Sequence, residues 1–158
     1  MLDAVDRKLI VATQAGLPLE REPYRVLARQ LGLDETEIIA RLQSLLDSGA
    51  IRRIGAIPNH YALGLTANGM SVWDVVDGAV ADVGARIGAL DFVTHCYERP
   101  RHLPLWPYNL FAMVHGRTRD EIGHKVREIA ELIGPAARAH EVLFSTRILK
   151  KTGFRIAA

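Results

Sequence analysis

Three prolines within eight residues constrain the middle of this chain more than any other feature. They stand at positions 100, 104 and 107, and each one removes a backbone donor and fixes φ at about −65°. Neither a helix nor a central strand can therefore run through this segment. The stretches on either side, Asp91 to Tyr97 and Tyr108 to His115, have the composition of strands. The sequence thus predicts a stiff loop between two strands.

The same region collects charged, titratable and aromatic side chains. Residues 95 to 109 hold two histidines, two arginines, three aromatic side chains and the only cysteine. Core packing does not require that mixture, whereas a flat, anionic ligand needs cations at its edge and aromatic surface against its face. We therefore expect a binding site for a flat, anionic molecule in this region.

Length and composition exclude several classes of protein. The chain has 158 residues, 49% of them hydrophobic, and can form one domain or two small ones. No run approaches the ~20 apolar residues of a membrane span, and the first residues lack a signal-peptide pattern. One cysteine allows no intrachain disulfide, and a net charge of +2 does not by itself indicate nucleic acid. We expect a cytoplasmic protein with no membrane partner.

Helical spacing of apolar residues dominates the first third of the chain. It predicts three helices and a strand, over residues 2–14, 23–31, 35–48 and 50–55. Pro23 opens the second helix and Gly32 ends it. Asp34 followed by Glu37 predicts a capping box for the third helix. This pattern predicts a winged helix-turn-helix domain over residues 1–57.

The obvious function of such a domain is DNA binding, and the third helix argues against it. Its first turn would enter the major groove, yet that turn offers Asp34, Glu35 and Glu37, with Arg41 the only cation of the helix. Carboxylates placed against phosphates lower the affinity for DNA. We therefore expect residues 1–57 to serve packing or dimerisation, with DNA not a partner.

Residues 58–158 alternate between strand and helix patterns. Strands are predicted over residues 67–75, 91–97, 108–115 and 141–149, and helices over 77–89 and 118–133. The order β-α-β-β-α-β is the ferredoxin-like arrangement, so the fold class is α+β. Such a sheet carries its helices on one face and leaves the other free to dimerise or to bind a ligand. We expect this to be the ligand-binding and catalytic domain.

A winged helix-turn-helix followed by a ferredoxin-like domain resembles the Lrp/AsnC architecture over the whole chain. Three motifs narrow the resemblance: NHYALG at 59–64 with ANGMSVWDV at 67–75, HCYERPR at 95–101 with WPYNLFAMVHG at 106–116, and FSTR at 144–147 with KKTG at 150–153. Together they resemble the sirohaem decarboxylases, Lrp-like proteins of the haem d1 and alternative haem pathways. The acidic third helix fits a family member that does not bind DNA.

The resemblance implies a carboxy-lyase. That family removes carbon dioxide from the C12 and C18 acetate side chains of sirohaem, which gives 12,18-didecarboxysirohaem. Its members work as pairs of related subunits or as fused chains, and this chain carries one copy of each motif. The implied partners are therefore sirohaem and a homologous subunit, in a dimer or higher oligomer. Two alternatives stay open: an Lrp/AsnC-type transcription regulator, and a non-catalytic tetrapyrrole-binding partner subunit.

The rim of sirohaem carries carboxylates, so its binding site needs cations. Arg99 and Arg101 suit bidentate recognition of carboxylates, and pairing with an acid such as Glu98 is the alternative for either one. Further rim candidates are Arg147 and, more weakly, the pair Lys150 and Lys151, which would otherwise be solvated. Side chains that could line the ring or donate hydrogen bonds to it, or simply pack, are Tyr97, Trp106 and Tyr108.

Decarboxylation leaves carbanion character that the macrocycle can delocalise, so we expect no cofactor beyond the iron of the substrate. The protein must orient the leaving carboxylate and deliver a proton to the new carbon. Histidine, with a reference pKa of about 6.5, is the natural donor. The predicted catalytic residues are His95, at the mouth of the loop, and His60, in the linker. Each could be donor, carboxylate partner or iron ligand, while His115 is expected to be structural and no protein metal site is predicted.

Overall fold

The computed structural model describes residues 2–150, 153 and 155–157. The chain forms two compact units, one of residues 58–149 and one of residues 1–57 together with the residues from Lys150 onward. The predicted second domain ran to residue 158, whereas the structure groups the end of the chain with the helical unit. Two hydrogen bonds hold it there: the Gln14 amide donates to the Ile156 carbonyl (3.3 Å) and accepts from the Ile156 N–H (3.0 Å).

The helical unit contains three helices around a small apolar core. They are α1 (Ala4–Thr13), α2 (Pro23–Leu31) and α3 (Glu35–Asp47). As predicted, α2 begins at Pro23 and stops at Gly32, whose φ of 68° lies in the left-handed region that glycine adopts without strain. The core side chains are Leu9, Leu27, Ala28, Ile38, Leu42 and Leu45. Helix α2, the turn at Gly32 and α3 form the helix-turn-helix.

The capping box stands on a different helix from the one predicted. At the start of α1, Asp3 accepts from the Asp6 N–H (2.7 Å) and Asp6 accepts from the Asp3 N–H (3.1 Å). Asp34 is the N-cap of α3, but its side chain makes no capping hydrogen bond. Glu37, the other half of the predicted box, instead accepts from Arg41 at 2.8 Å. An ion pair one turn along the helix therefore replaces the predicted cap.

The strand predicted over residues 50–55 is not formed, and the described residues before Ala67 contain no strand. Ile51 instead donates its N–H to the Leu45 carbonyl (2.9 Å) and packs its side chain against the helical core. The segment thereby closes the end of α3 and does not enter a ladder, since no strand of the described helical unit is there to pair with it. The unit is a helix-turn-helix without the predicted wing strand.

The second unit has the predicted ferredoxin-like order of elements. They are β1 (Ala67–Val75), a 3-10 turn (Asp77–Ala79), α4 (Val80–Gly88), β2 (Val93–Glu98), β3 (Leu110–Gly116), α5 (Arg119–Ile133) and β4 (Ala137–Phe144). The four strands form one antiparallel sheet in the order β2-β3-β1-β4. This confirms the α+β class and the sheet topology.

Strand β4 begins four residues earlier than predicted, at Ala137 instead of Glu141. Ala137 pairs with Val75 at one end of β1 and Phe144 pairs with Gly69 near the other. Strand β4 ends at Phe144, and one more hydrogen bond follows, from the Ser145 N–H to the Asn68 carbonyl (3.3 Å). Arg147 therefore follows the strand and does not lie in it.

The sheet has two unlike faces. Both helices cover the first face, where buried sheet residues meet α4 and α5: Trp73, Val75, Leu110, Ala112 and Val114. Gly69 allows α5 to approach, because a Cβ there would lie 2.8 Å from Ile122 Cγ2. The second face carries Met70, Val72 and Phe111, with Trp106 and Tyr108 of the proline loop packed on it. The histidines and Arg99 described in the next subsection lie on this second face.

Candidate active site

Three histidines meet at one end of the second face. His115 is the penultimate residue of β3 and pairs with Asn68 of β1. His60 lies in the turn before β1, with its ring centroid 5.1 Å from that of His115. His95 lies on β2 opposite Met113, directly after a bulge in which Thr94 is the extra residue. The fold therefore brings the two predicted catalytic histidines to either side of a third.

A continuous run of hydrogen bonds, which we call the polar chain, joins five residues of this cluster: His95, Thr94, His115, Asn68 and Tyr61. His95 Nδ1 lies 3.1 Å from Thr94 Oγ1, which lies 3.0 Å from His115 Nε2. His115 Nδ1 makes a short hydrogen bond with Asn68 Oδ1. Asn68 Nδ2 donates to the Tyr61 hydroxyl at 2.6 Å.

The polar chain runs from the interior to the surface. Asn68 is 4% exposed, His115 is half-buried and His95 is exposed. The backbone at its centre is tied to α5, since Lys125 donates to the His115 carbonyl at 2.7 Å. The same lysine pairs with Glu121 at 2.8 Å, and that hydrogen bond lowers the pKa of Glu121. The backbone of His115 is therefore held by α5, while the exposed imidazole of His95 can meet a ligand.

The two arginines of the proline loop have different environments, and Arg99 has the one predicted for a ligand contact. Its guanidinium stacks over Phe111 (5.2 Å to the ring centroid) and Tyr97 (5.8 Å). Stacking leaves the edge donors of a guanidinium directed outward. Within residues 2–150, no side chain accepts a hydrogen bond from Arg99. It is therefore a cation held over the second face and able to receive a carboxylate.

Arg101, predicted as a substrate contact, is bound within the protein. Its Nε donates to Asp74 (3.1 Å) and to the Pro107 carbonyl (2.8 Å), and its Nη2 to Asp74 (2.6 Å). Short contacts join the remaining donors to Asp77 and to the Val75 carbonyl. The pairing lowers the pKa of Asp77. All parts of this guanidinium are used to hold the loop against the end of β1, and Glu98 is not its partner.

Asn109 provides a second attachment at the same place. The residue is only 4% exposed, and both ends of its amide are hydrogen-bonded. Its Oδ1 accepts from the Val75 N–H (2.8 Å) and its Nδ2 donates to the Val75 carbonyl (2.9 Å). Together with Arg101 it closes the proline loop at both of its ends. The loop anchor, as we call Arg101, Asn109, Asp74 and Asp77, was not visible in the sequence because its acidic members come from β1 and the turn after it.

The three aromatic candidates also differ in burial and in the residues that they contact. Tyr108 is 8% exposed, and its hydrogen bond to Glu141 together with burial raises its pKa. Trp106 packs edge-on against Tyr108 at 5.2 Å and parallel to Phe111 at 6.3 Å. Tyr97 is 49% exposed, and its ring lies 6.1 Å from that of His95. The ordinary packing alternative thus describes Tyr108 and Trp106, while Tyr97 stands beside the histidine and the free arginine.

The remaining candidates lie away from this group. Arg147 is exposed beyond the end of β4, and Lys151 lies outside the described residues. Cys96 points to the helix side, where its thiol donates to the Gly84 carbonyl (3.5 Å) and burial raises its pKa. In the described part of the chain, no three histidine, cysteine or acidic side chains are grouped so that they could hold a metal ion. No helix within those residues has the length and apolarity to cross a membrane.

Comparison with known proteins decides the family. Residues 62–150 match the AsnC-like ligand binding domain, and residues 6–52 match the siroheme decarboxylase NirDL-like HTH domain. The siroheme decarboxylase NirH subunit of Paracoccus pantotrophus is 60% identical, over 98% of this chain and 96% of its own length. This chain belongs to the siroheme decarboxylase family.

Two solved structures resemble this chain in fold. The siroheme decarboxylase NirDL, in co-complex with an iron-uroporphyrin III analogue, is 35% identical with a TM-score of 0.66. The match covers 98% of this chain and 47% of NirDL, so this chain spans about half of that one. AsnC of E. coli is 21% identical with a TM-score of 0.79 over 98% of both chains, a likeness of fold alone.

In this member of the siroheme decarboxylase family, the cation of the third helix is fully paired. Arg41, the only cation of α3, pairs with Asp3, Asp6 and Glu37, each at 2.8 Å. Hydrogen bonds to Asp3 first, and then to the other two, raise the pKa of Arg41. A guanidinium held by three carboxylates offers little to a phosphate backbone. The structure strengthens the argument made from the acidic sequence of α3.

Proposed function

We propose that this chain is a catalytic subunit of a sirohaem decarboxylase, which removes carbon dioxide from the C12 and C18 acetate side chains of sirohaem. The product is 12,18-didecarboxysirohaem, an intermediate of haem d1 or alternative haem biosynthesis. The observation that carries this proposal is the convergence of His95, His115 and His60 on the face of the sheet where Arg99 is held over aromatic rings. The family of the chain and the iron-uroporphyrin analogue bound by NirDL support it.

The second face has the chemistry that a tetrapyrrole requires. Tyr97 and Met113 present aromatic and apolar surface for the flat ring, and burial of that surface drives binding. Arg99 supplies a planar, permanently charged donor for a carboxylate at the rim. His60 can hold a second carboxylate or ligate the iron of the substrate. No further cofactor enters the proposal, since the macrocycle itself accepts the electron pair released by decarboxylation.

His95 is the proposed proton donor. The bond between the acetate methylene and its carboxylate breaks, carbon dioxide leaves, and the electron pair stays on the methylene carbon in conjugation with the ring. His95 then gives a proton to that carbon to form the methyl group. Because the imidazole is exposed, it can take up a replacement proton from solvent before the next acetate reacts.

We also propose that the chain acts with a homologous subunit, as a dimer or higher oligomer. Its relative from Paracoccus pantotrophus is named as a subunit, and the NirDL chain is about twice as long as this one. This chain carries one copy of each motif, so the proposed partner would contribute the second copy to the assembled enzyme.

The test is anaerobic incubation of the purified chain with sirohaem, alone and with the homologous subunit, followed by mass spectrometry of the tetrapyrrole. We expect loss of carbon dioxide in at least one of the two mixtures; unchanged sirohaem in both would refute the proposal. The catalytic role of this chain is tested by combining its H95A/R99A variant with the unaltered partner. Full turnover in that mixture would leave this chain as a scaffold only.

A further inference from the structure

We infer that Asn68 and Thr94 are positioning residues that fix the tautomers of His115 and His95, so that His95 exchanges its catalytic proton only at Nε2. The catalytic consequence rests on the proposed function. The tautomers themselves do not, because they follow from hydrogen bonds within the chain.

The assignment begins at Asn68, which is almost fully buried. Its amide nitrogen donates to the Tyr61 hydroxyl at 2.6 Å, and its oxygen faces His115 Nδ1. An amide oxygen only accepts hydrogen bonds. His115 must therefore carry a proton on Nδ1, and in the neutral ring Nε2 then holds a lone pair.

Thr94 transmits this assignment to β2. Its hydroxyl lies 3.0 Å from His115 Nε2 and 3.1 Å from His95 Nδ1. A hydroxyl has one proton to donate and lone pairs with which to accept. Two acceptors face the Thr94 proton: the lone pair of His115 Nε2 at 3.0 Å and the Met113 carbonyl at 3.4 Å. Thr94 donates to the nearer one, His115 Nε2, and accepts from His95 Nδ1–H; donation to the carbonyl would leave the bond from His95 unchanged. The Nδ1 proton of His95 is thus engaged in both the neutral and the charged ring.

The consequence is that Nε2 is the site at which His95 gains and loses a proton. Delivery of the Nε2 proton to the methylene carbon leaves the neutral Nδ1–H tautomer, which Thr94 already stabilises. Among the described residues, Lys125 and Glu121 of α5 lie behind His115, and Arg99 stacks on Tyr97 beside His95. A histidine held in this way needs no tautomer exchange between successive turnovers.

Nitrogen-15 NMR of the histidines in the full-length protein, above the imidazole pKa, tests the tautomers without substrate. We expect His95 in the Nδ1–H form, whereas an unrestrained neutral histidine favours Nε2–H. In Thr94→Val, a substitution that a strand tolerates well, His95 should revert to Nε2–H, while Thr94→Ser should retain Nδ1–H. At the other end, Asn68→Leu should release the His115 tautomer and Asn68→Asp should preserve it.

The matched control is Thr66→Val, since the Thr66 hydroxyl binds the Arg117 carbonyl (3.0 Å) outside the polar chain. It should leave both tautomers unchanged. A wild-type His95 in the Nε2–H form, or a Thr94→Val variant that keeps Nδ1–H, would overturn the inference.

The catalytic consequence is measured in the assembled decarboxylase. Loss of a side chain that orients a functional histidine typically lowers activity by about tenfold to a hundredfold. We expect Thr94→Val to lower kcat by such a factor with little change in KM, and Thr94→Ser to restore it. A normal kcat for Thr94→Val, or a defect that serine does not rescue, would contradict the positioning role. If no variant and no wild-type mixture decarboxylates sirohaem, the proposed function fails, while the tautomers remain a separate result.

Discussion

The two ends of the second face contain similar residue types in different hydrogen-bonding environments. At the loop anchor, Arg101 and Asn109 have every strong donor occupied by carboxylates or backbone carbonyls. At the histidine end, hydrogen bonds run in a single line from buried Asn68 to exposed His95. Because the donors of Arg101 and Asn109 are all occupied, the loop anchor holds the structure in place and has none left for a ligand. The open terminus of the second end makes it suitable for chemistry, because one group remains available to a ligand.

The largest expected effect falls at the histidine end and on turnover alone. His95→Ala should lower kcat by about a hundredfold or more, the usual contribution of a general acid. Its melting temperature should stay close to that of the wild type, because His95 is exposed. Steady-state kinetics of the assembled enzyme and thermal unfolding provide the two measurements. A stable, fully active variant would remove His95 from the mechanism.

The loop anchor should respond in the opposite way. Arg101→Ala leaves Asp74 largely buried without its main partner, so the free energy of unfolding should fall by about 3 kcal/mol. Urea denaturation measures this loss. The matched variant is Arg99→Ala, which removes an exposed guanidinium and should cost well under about 1 kcal/mol. Equal losses in the two variants would erase the distinction between the two ends.

Arg99→Ala should instead weaken substrate binding. A hydrogen bond to a charged group contributes about 1.5 kcal/mol, so we expect KM for sirohaem to rise by about tenfold. Arg99→Lys should recover only part of the affinity, since an ammonium cannot form the bidentate contact. Titration of the tetrapyrrole absorbance gives the affinity directly. An unchanged KM would place the ring elsewhere on the protein.

The smallest expected effect is on the pH dependence of the stability. The hydrogen bond from Arg101 lowers the pKa of Asp77 in the folded protein. A lowered pKa contributes stability above the unfolded value, about 3.9, and that contribution is lost as the pH falls through the folded value. Urea unfolding between neutral pH and about pH 3 should therefore show an acid-sensitive component that Arg101→Ala lacks. The same pH dependence in both proteins would argue against this pairing.

Local signals predicted the elements of this fold well. Pro23 and Gly32 set the boundaries of α2 that the structure confirms, and β1 spans the predicted residues 67–75. The misplaced elements depended on distant partners. Strand β4 is positioned by its register against β1, and the segment after α3 packs on helices because no strand pairs with it. Neither partner can be identified from composition or periodicity.

The candidate site shows the same division. Sequence chemistry selected His95, His60 and Arg99, which the structure places on one side of the sheet. It assigned Arg101 to the ligand because both loop arginines look alike until Asp74 and Asp77 are seen beside one of them. It did not predict that His115 lies between the other two histidines, because that position follows from strand register and long-range contacts. Side-chain type suggests a role, and long-range pairing decides it.

The single extra residue in β2 has a consequence for how this family could change. In an even strand, positions 94 and 95 would project to opposite sides, and a hydroxyl there could never touch the neighbouring imidazole. Removing Thr94 would restore an even register in which Val93 and His95 keep their faces, but the hydroxyl beside the imidazole would be gone. A relative with a histidine here but without the extra residue would therefore keep the imidazole and lose the group that we propose fixes its tautomer.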